Sequence, residues 1–417
     1  MIWIIGSNGM LGRELSALLE EKNLTFTGTD REVSILDPSA LKEFAENAEP
    51  SWIVNCSGYT AVDRAESDKE AAFAINAQGV KNIVSLALEL DIPLIHISTD
   101  YVFDGTSRIP LTEDAPVSPV SVYGESKLSG ENAIREIHKK HFIIRTAWLY
   151  GQYGPNFVYA MIKLMNARES IKVVDDQHGS PTWAKDLAGL MFTIISAESE
   201  TYGTYHFSGE GECTWYGFAR SIYEFGKEKN LITSDCTIEP CSSSEFPTPA
   251  KRPEYSLLSK EKVKKTFGFP VPDWEDSFAE FMNNLLGPTE RILNWVEHAD
   301  YDLDTARAMH KSGRYLYVVI TCQQNLEKNF KALLEFRGMK IPRIHDLVRL
   351  NSILGVKKAE DEVQLFKDLS YYYIASRYSE RISTLSAEIS RDRSKYIIEK
   401  TEEVSQWLKS MIPFLNQ

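Results

Sequence analysis

The chain lacks any run approaching the ~20 consecutive apolar residues that a bilayer-spanning helix needs. Its opening apolar stretch, Met1 to Ile5, has no basic flank before it, so no secretory signal is legible there. The expectation is a cytoplasmic protein with no membrane partner. Cysteine is also scarce. Cys56, Cys213, Cys236, Cys241 and Cys322 form no C-x-x-C pair and no metal-ligand spacing with histidine. That spacing predicts reduced thiols and no protein-bound metal, while a requirement for Mg2+ cannot be read from the sequence. An excess of basic charge is missing too, with 46 Lys and Arg against 59 Asp and Glu. The deficit is uneven. Residues 1–287 hold 26 basic and 41 acidic side chains, net −15, and residues 288–417 hold 20 and 18, net +2. An acidic first part repels phosphates and argues against a nucleic-acid partner there.

At 417 residues the chain is too long for one ordinary domain. Through about residue 200 it alternates short apolar segments with helical ones. Met1 to Ile5, Thr25 to Thr29, Ser51 to Cys56, Pro93 to Ser98 and Phe142 to Thr146 have the length and composition of strands, each followed by a turn or helix. Such alternation predicts an α/β domain with a doubly wound, Rossmann-type parallel sheet. Functional loops then gather at the strands' C-terminal ends. From about Gly151 to Leu286 a proline-rich, mixed pattern predicts a smaller substrate-binding part. Beyond Pro288 prolines are few, and apolar residues recur at three and four spacing from Leu293 to Ala306 and from Leu316 to Leu334. That periodicity predicts an all-α helical bundle over 288–417.

Gly6, Gly9 and Gly12 form a G-x-x-G-x-x-G turn between the first strand and a helix opened by Met10 and Leu11. Glycines let the backbone approach a pyrophosphate, and the free N–H groups of a helix start attract its charge. Asn8 lies within the same turn. The second strand ends at Asp30-Arg31, where an acid binds the adenosine ribose and an arginine pairs with a 2'-phosphate; the cofactor is therefore NADPH or NADH, without a choice between them. Tyr123 and Lys127, four apart, share one helix face, so the ammonium can favour phenol ionisation and make Tyr123 a usable proton donor. Thr99, 24 residues upstream, supplies a hydroxyl for the substrate oxygen. Alone, each motif reads equally as a solvated helix face or a capped turn; together and in this order they predict carbonyl reduction by a nicotinamide.

Several longer runs carry a family likeness. Cys56-Ser57-Gly58-Tyr59-Thr60-Ala61-Val62-Asp63-Arg64-Ala65-Glu66, Ile75-Asn76-Ala77, Ser98-Thr99-Asp100-Tyr101-Val102-Phe103-Asp104-Gly105, Asn156-Phe157 and Asp176-Gln177-His178-Gly179-Ser180-Pro181-Thr182 follow one another in the family's order. On them, residues 1–286 resemble the dTDP-4-dehydrorhamnose reductases, extended members of the short-chain dehydrogenase/reductase superfamily. Cys56-Ser57 departs from the usual pair of alanines, and Gly154-Pro155-Asn156 replaces a more flexible segment. The resemblance implies reduction of the C4 keto group of a dTDP-6-deoxyhexose, giving dTDP-L-rhamnose, with a homodimer to which the tail can contribute. It implies Thr99, Tyr123 and Lys127 as catalytic residues. Gly6, Asn8, Gly9, Met10, Leu11, Gly12, Asp30, Arg31, Cys56, Ser57, Gly58, Thr60, Asn76 and Ser98, with Tyr123 and Lys127, would line the cofactor. Val62, Thr99, Asp100, Tyr101, Trp148 and Asn156 would face the sugar, Trp148 offering its ring to the apolar side of the deoxy-sugar. The competing expectations are a dinucleotide-binding regulatory subunit and a reductase of another nucleotide ketosugar.

The tail carries a second likeness, in Trp295 to Leu303, Cys322 to Leu334 and Ile344 to Leu347. It resembles the HEPN domain, named for higher eukaryotes and prokaryotes nucleotide binding. Ribonuclease members place four to six residues between an arginine and a histidine. Here Arg337 to His345 leaves seven and Arg307 to His310 leaves two. A non-catalytic module is expected, with RNA binding or cleavage as the alternative, and His345 beside Asp346 is expected to cap a helix or serve an interface.

Overall fold

The computed structural model describes every residue except 286, 340, 357–359, 379–381, 413, 414, 416 and 417. The chain separates into two compact units, Met1–Leu285 and Leu286–Gln417; Leu286, at the expected boundary, lies outside the described residues.

The first unit is built on a six-stranded sheet of β1 (Ile2–Ile5), β2 (Phe26–Thr29), β3 (Trp52–Asn55), β4 (Leu94–Thr99), β5 (His141–Thr146) and β6 (Gly203–His206). Every pairing is parallel and the spatial order is β6-β5-β4-β3-β1-β2. Strand order reverses between β1 and β3, and a ligand crevice opens at such a switch point. β1 shows why these residues make a central strand. Ile2 and Ile4 enter one apolar core while Trp3 and Ile5 enter another on the opposite face, so all four are buried. One layer is supplied by α1 (Met10–Glu21) and α5 (Ala184–Ser196), the other by α2 (Pro38–Ala48) and α3 (Val80–Glu89). Between β4 and β5 runs α4 (Val122–Ile137), started by Ser121, whose hydroxyl accepts from the Gly124 N–H.

A smaller mixed part follows. Its strands come in short pairs, Ser170–Val174 with Thr237–Cys241, His178–Gly179 with Cys213–Thr214, and Leu149–Tyr150 with Thr182–Trp183. Its separate core is rich in aromatics, among them Tyr150, Trp183, Phe218, Trp274, Phe278 and Phe281.

The second unit is helical among its described residues: α6 (Pro288–Lys311), α7 (Tyr315–Phe336), α8 (Leu347–Leu354), α9 (Glu360–Tyr378), α10 (Ile382–Ala387) and α11 (Arg391–Ser410). α7 is the central element and packs against α6, α8, α9 and α11. Its buried amide nitrogens are bonded within the bundle, Asn325 Nδ2 donating to the Ala299 carbonyl (2.7 Å) and Asn329 Nδ2 to Ser405 Oγ (2.9 Å), while Gln323 Oε1 and Asn329 Oδ1 have no hydrogen-bond partner among the described residues. Asp346, not His345, caps α8, accepting from the Val348 and Arg349 N–H groups. His345 instead points Nδ1 at Glu327, 3.0 Å from Oε1, because that buried carboxylate also needs a partner besides Lys331. Among the described residues no helix is long and apolar enough to cross a membrane.

Candidate active site

The glycine turn is compressed as its sequence requires. Gly6 has φ +82°, and a Cβ there would stand 2.8 Å from the Ser57 nitrogen; one on Gly12 would meet the Gly6 carbonyl at 2.3 Å. No side chain caps α1, so its first N–H groups face the crevice. Asp30 sits across the turn and accepts from the Asn8 N–H at 3.3 Å. The loop after β3 is tied down by Asn55, whose Oδ1 accepts from both the N–H (3.0 Å) and the hydroxyl (2.6 Å) of Ser57.

These segments border a cleft of about 990 Å³ at the C-terminal edge of the sheet. Lining it are Gly6, Asn8, Gly9, Met10, Leu11, Asp30, Arg31, Cys56, Ser57, Gly58, Thr60, Ser98 and Lys127, with Val62, Thr99, Asp100, Tyr101, Tyr123 and Trp148 toward the other end. Three of the expected residues are not in that wall. Gly12 lies beneath the turn, against the Gly6 backbone. Asn76 is buried and bonds Tyr59 at both its N–H (2.9 Å) and carbonyl (3.1 Å) and Ser126 Oγ (3.0 Å), so it fastens the β3 loop to α4. Asn156 caps the helix Phe157–Ala167, accepting from the Tyr159 N–H (3.2 Å) and donating to the Gly151 carbonyl (2.8 Å). Each is committed to backbone, which spacing alone does not reveal.

Thr99 ends β4 and Tyr123 opens α4, and both line the same cleft. Thr99 Oγ1 also lies 3.0 Å from Asp100 Oδ1. Lys127 is buried and donates to the Ile97 carbonyl at 2.6 Å. The electrostatics differ from the expectation drawn from helix spacing. Burial pushes the Tyr123 phenol up to about 12, opposed by the Thr99 hydrogen bond. Burial also draws Lys127 down to about 8, against the pull of Glu131 and Cys56. Desolvation outweighs any help the ammonium gives the phenol, since both charged forms are penalised in a low-dielectric site. Tyr123 is thus a fully protonated donor at neutral pH. Burial likewise lifts Asp100 to about 6 and the Cys56 thiol to about 12, so Cys56 is a neutral wall residue.

Trp148 lines the cleft and is itself tightly packed. Trp215 stacks on it with centroids 3.7 Å apart and planes 12° apart. A Cβ on Gly179 would stand 2.8 Å from Trp148 Cε2. Trp215 thus covers one face of the indole, Gly179 packs against the ring at Nε1, Cε2 and Cζ2, and the residue still lines the cleft. Its backbone is held at φ +47°, a conformation that costs a non-glycine residue about 1 kcal/mol or more and persists where packing over-determines it.

Residues absent from the motif analysis complete the picture. Val33, Ser34 and Ile35 close the wall beyond Asp30. Arg252 Nη2 pairs with Asp63 Oδ2 at 2.8 Å, next to Val62 of the cleft wall, linking two segments 189 residues apart in the chain. A lone arginine in a proline-rich loop carries no signal for that pairing. No group of three or more His, Cys, Asp or Glu side chains is placed to hold a metal among the described residues.

A tight glycine turn, uncapped helix N–H groups and a Thr–Tyr–Lys set facing one cleft define a nicotinamide-dependent carbonyl reductase of the short-chain type. The family model described as RmlD substrate binding domain matches residues 1–286, and the HEPN domain model matches residues 292–411. The chain belongs to the RmlD substrate-binding-domain family and carries a HEPN domain as its C-terminal part. It is 38% identical over 288 residues to a dTDP-4-dehydrorhamnose reductase of Sinorhizobium fredii, covering 68% of this chain and 97% of the relative. It is 36% identical over 295 residues to that of Escherichia coli, covering 69% and 99%. A crystal structure of the Bacillus anthracis dTDP-4-dehydrorhamnose reductase in complex with NADP superposes with a TM-score of 0.64 at 36% identity, over 68% of this chain and 99% of that one.

Proposed function

We propose that the chain reduces the C4 keto group of dTDP-4-dehydro-6-deoxy-L-mannose (dTDP-4-dehydrorhamnose) to dTDP-L-rhamnose in the cytoplasm, with NADPH or NADH. The observation that carries this reading is the convergence of Thr99, Tyr123 and Lys127 on one cleft that the glycine turn also lines. Gly6 to Leu11 and the loop Cys56 to Gly58 would hold the dinucleotide, since only glycine fits the closest approaches. When bound, the reduced nicotinamide supplies the hydride. Tyr123 gives its proton to the carbonyl oxygen, and Thr99 hydrogen-bonds that oxygen as negative charge develops on it. Lys127 offers its remaining N–H donors to the cofactor ribose and its charge to the developing alkoxide. At the substrate end Arg252 is the cation within reach of Tyr101 and Asp63, and it fits the diphosphate of a nucleotide sugar.

Two features support a cofactor choice without strong discrimination. The Asp30 carboxylate, placed on the glycine turn, suits a ribose diol, and Arg31 on the same wall suits a 2'-phosphate. For the tail we favour a non-catalytic role. Arg337 bonds the Leu354 carbonyl (2.8 Å) and Arg307 pairs with Glu402 (2.7 Å), so both candidate arginines already serve contacts within the helical unit.

The test is NADPH and NADH oxidation by the full chain with dTDP-4-dehydrorhamnose and with other nucleotide ketosugars. Turnover highest with the first supports the reading. Cofactor binding without oxidation of any ketosugar would instead identify a regulatory dinucleotide-binding protein.

A further inference from the structure

α4 carries a third ionisable residue on the stripe that begins with Tyr123 and Lys127. Glu131, one further helical turn along, is fully buried. Arg145 of β5 grips it with two parallel bonds, Nε to Oε1 at 2.9 Å and Nη2 to Oε2 at 2.8 Å. Arg135 adds a third, Nη2 to Oε2 at 2.5 Å. Against the upward push of burial, these guanidinium groups hold the Glu131 carboxyl below its usual range, so it is ionised wherever the protein works. A fold does not need such a pair, because buried ion pairs replaced by apolar side chains of similar volume often leave stability unchanged or raised.

We propose that Glu131 is a positioning residue for the reduction: locked by Arg145 and Arg135, its carboxylate keeps the Lys127 ammonium charged and in place for Tyr123. The proposal rests on the reductase reading above. The groups around Lys127 leave few other candidates for this task. Tyr123 and Glu131 face it from its own helix, Cys56 from the β3 loop, and His96 with the Ile97 carbonyl from β4. Arg145, Arg135 and His206 act on it through Glu131. Burial keeps His96 well below its ordinary range and draws His206 down to about 3, so both are neutral, and Cys56 is a neutral thiol. Glu131 is therefore the anion that offsets the cost of burying the ammonium.

A sign follows. Lys127 is charged below about pH 8 and loses its proton above it, so turnover is level near neutrality and falls as pH rises through that value. Glu131→Gln removes the anion and moves this alkaline limb down by about one pH unit, a roughly fivefold loss at the wild-type midpoint with the plateau at lower pH retained. Arg145→Met frees the carboxylate to act on Lys127 and moves the limb up. Damage to the fold lowers both plateaus and gives no opposed shifts. A double Glu131→Gln/Arg145→Met variant, free of an unpaired buried charge, serves if either single variant fails to fold, and its limb is expected close to wild type. Lys127 can also be titrated without substrate, by NMR of protein labelled at the lysine Cε, assigned with Lys127→Met. A Lys127 titration unmoved by Glu131→Gln, or limbs moving the same way in both single variants, overturns the proposal. If wild type reduces no ketosugar while the Lys127 titration shifts as expected, the substrate reading fails and this one stands.

Discussion

Both units bury polar and charged groups, and the difference lies in where those groups point. In the sheet unit, Thr99, Tyr123 and Lys127 come from the end of one strand and the start of one helix, and all three face an open cleft. In the helical unit, Gln323, Asn325, Glu327, Asn329 and Lys331 are equally buried but lie along a single helix. Gln323 Nε2 reaches Glu327 Oε2 (3.0 Å) and the His345 carbonyl (2.7 Å), and Lys331 Nζ reaches Glu327 Oε1 (2.6 Å). One arrangement keeps hydrogen-bonding capacity for a ligand; the other uses it to pin helices and a loop. Buried polarity is thus no sign of chemistry until its direction is known.

The contrast can be broken most sharply at Tyr123. Tyr123→Phe removes the proton donor alone and is expected to cut turnover by about 10²- to 10⁴-fold, with cofactor affinity, read by fluorescence titration, unchanged. Retained turnover would mean the phenol is as structural as the polar groups of α7. Next in size is Glu327→Ala, which strands the Lys331 ammonium and unties His345. A loss of about 3 kcal/mol is expected in the stability of the helical unit, visible as an earlier denaturant transition, with reductase turnover in native buffer unaltered. A fall in turnover at denaturant-free conditions would show that the tail serves the chemistry. The smallest effect is expected at Asp30. Asp30→Ala removes a charged acceptor worth about 1.5–3 kcal/mol and should weaken kcat/KM for NADH about tenfold more than for NADPH. Equal losses with both cofactors would remove Asp30 from the ribose and leave it as a fastener of the glycine turn.

The sheet unit was legible where a local rule has a single structural solution. The five expected strands appear within a residue or two of their expected limits, and the glycine spacing marks the turn that the backbone then makes. The site was less legible wherever a side chain had two uses for its polar atoms. Asn76 and Asn156 are of the types that bind a ribose or a sugar, and in the structure both also hold loop or helix-start backbone, a use the sequence does not show. Helix spacing put Lys127 and Tyr123 on one cleft wall, but the net push on the phenol is upward, and spacing carries no information about the burial that causes it. Trp148 was expected to offer its ring to the sugar, and its packing against Trp215 and Gly179, 67 and 31 positions later, was not legible in the sequence.

Period-two burial, glycine turns and helix caps are short-range consequences of covalent geometry, so the sequence by itself determined the parallel sheet, the dinucleotide turn and the Tyr123–Lys127 stripe. Protonation, the packing of the Trp148 ring and the Arg252–Asp63 and Glu131–Arg145 pairs were decided by the tertiary structure. Their energies depend on desolvation and on partners remote in the chain, and neither exists until the layers close.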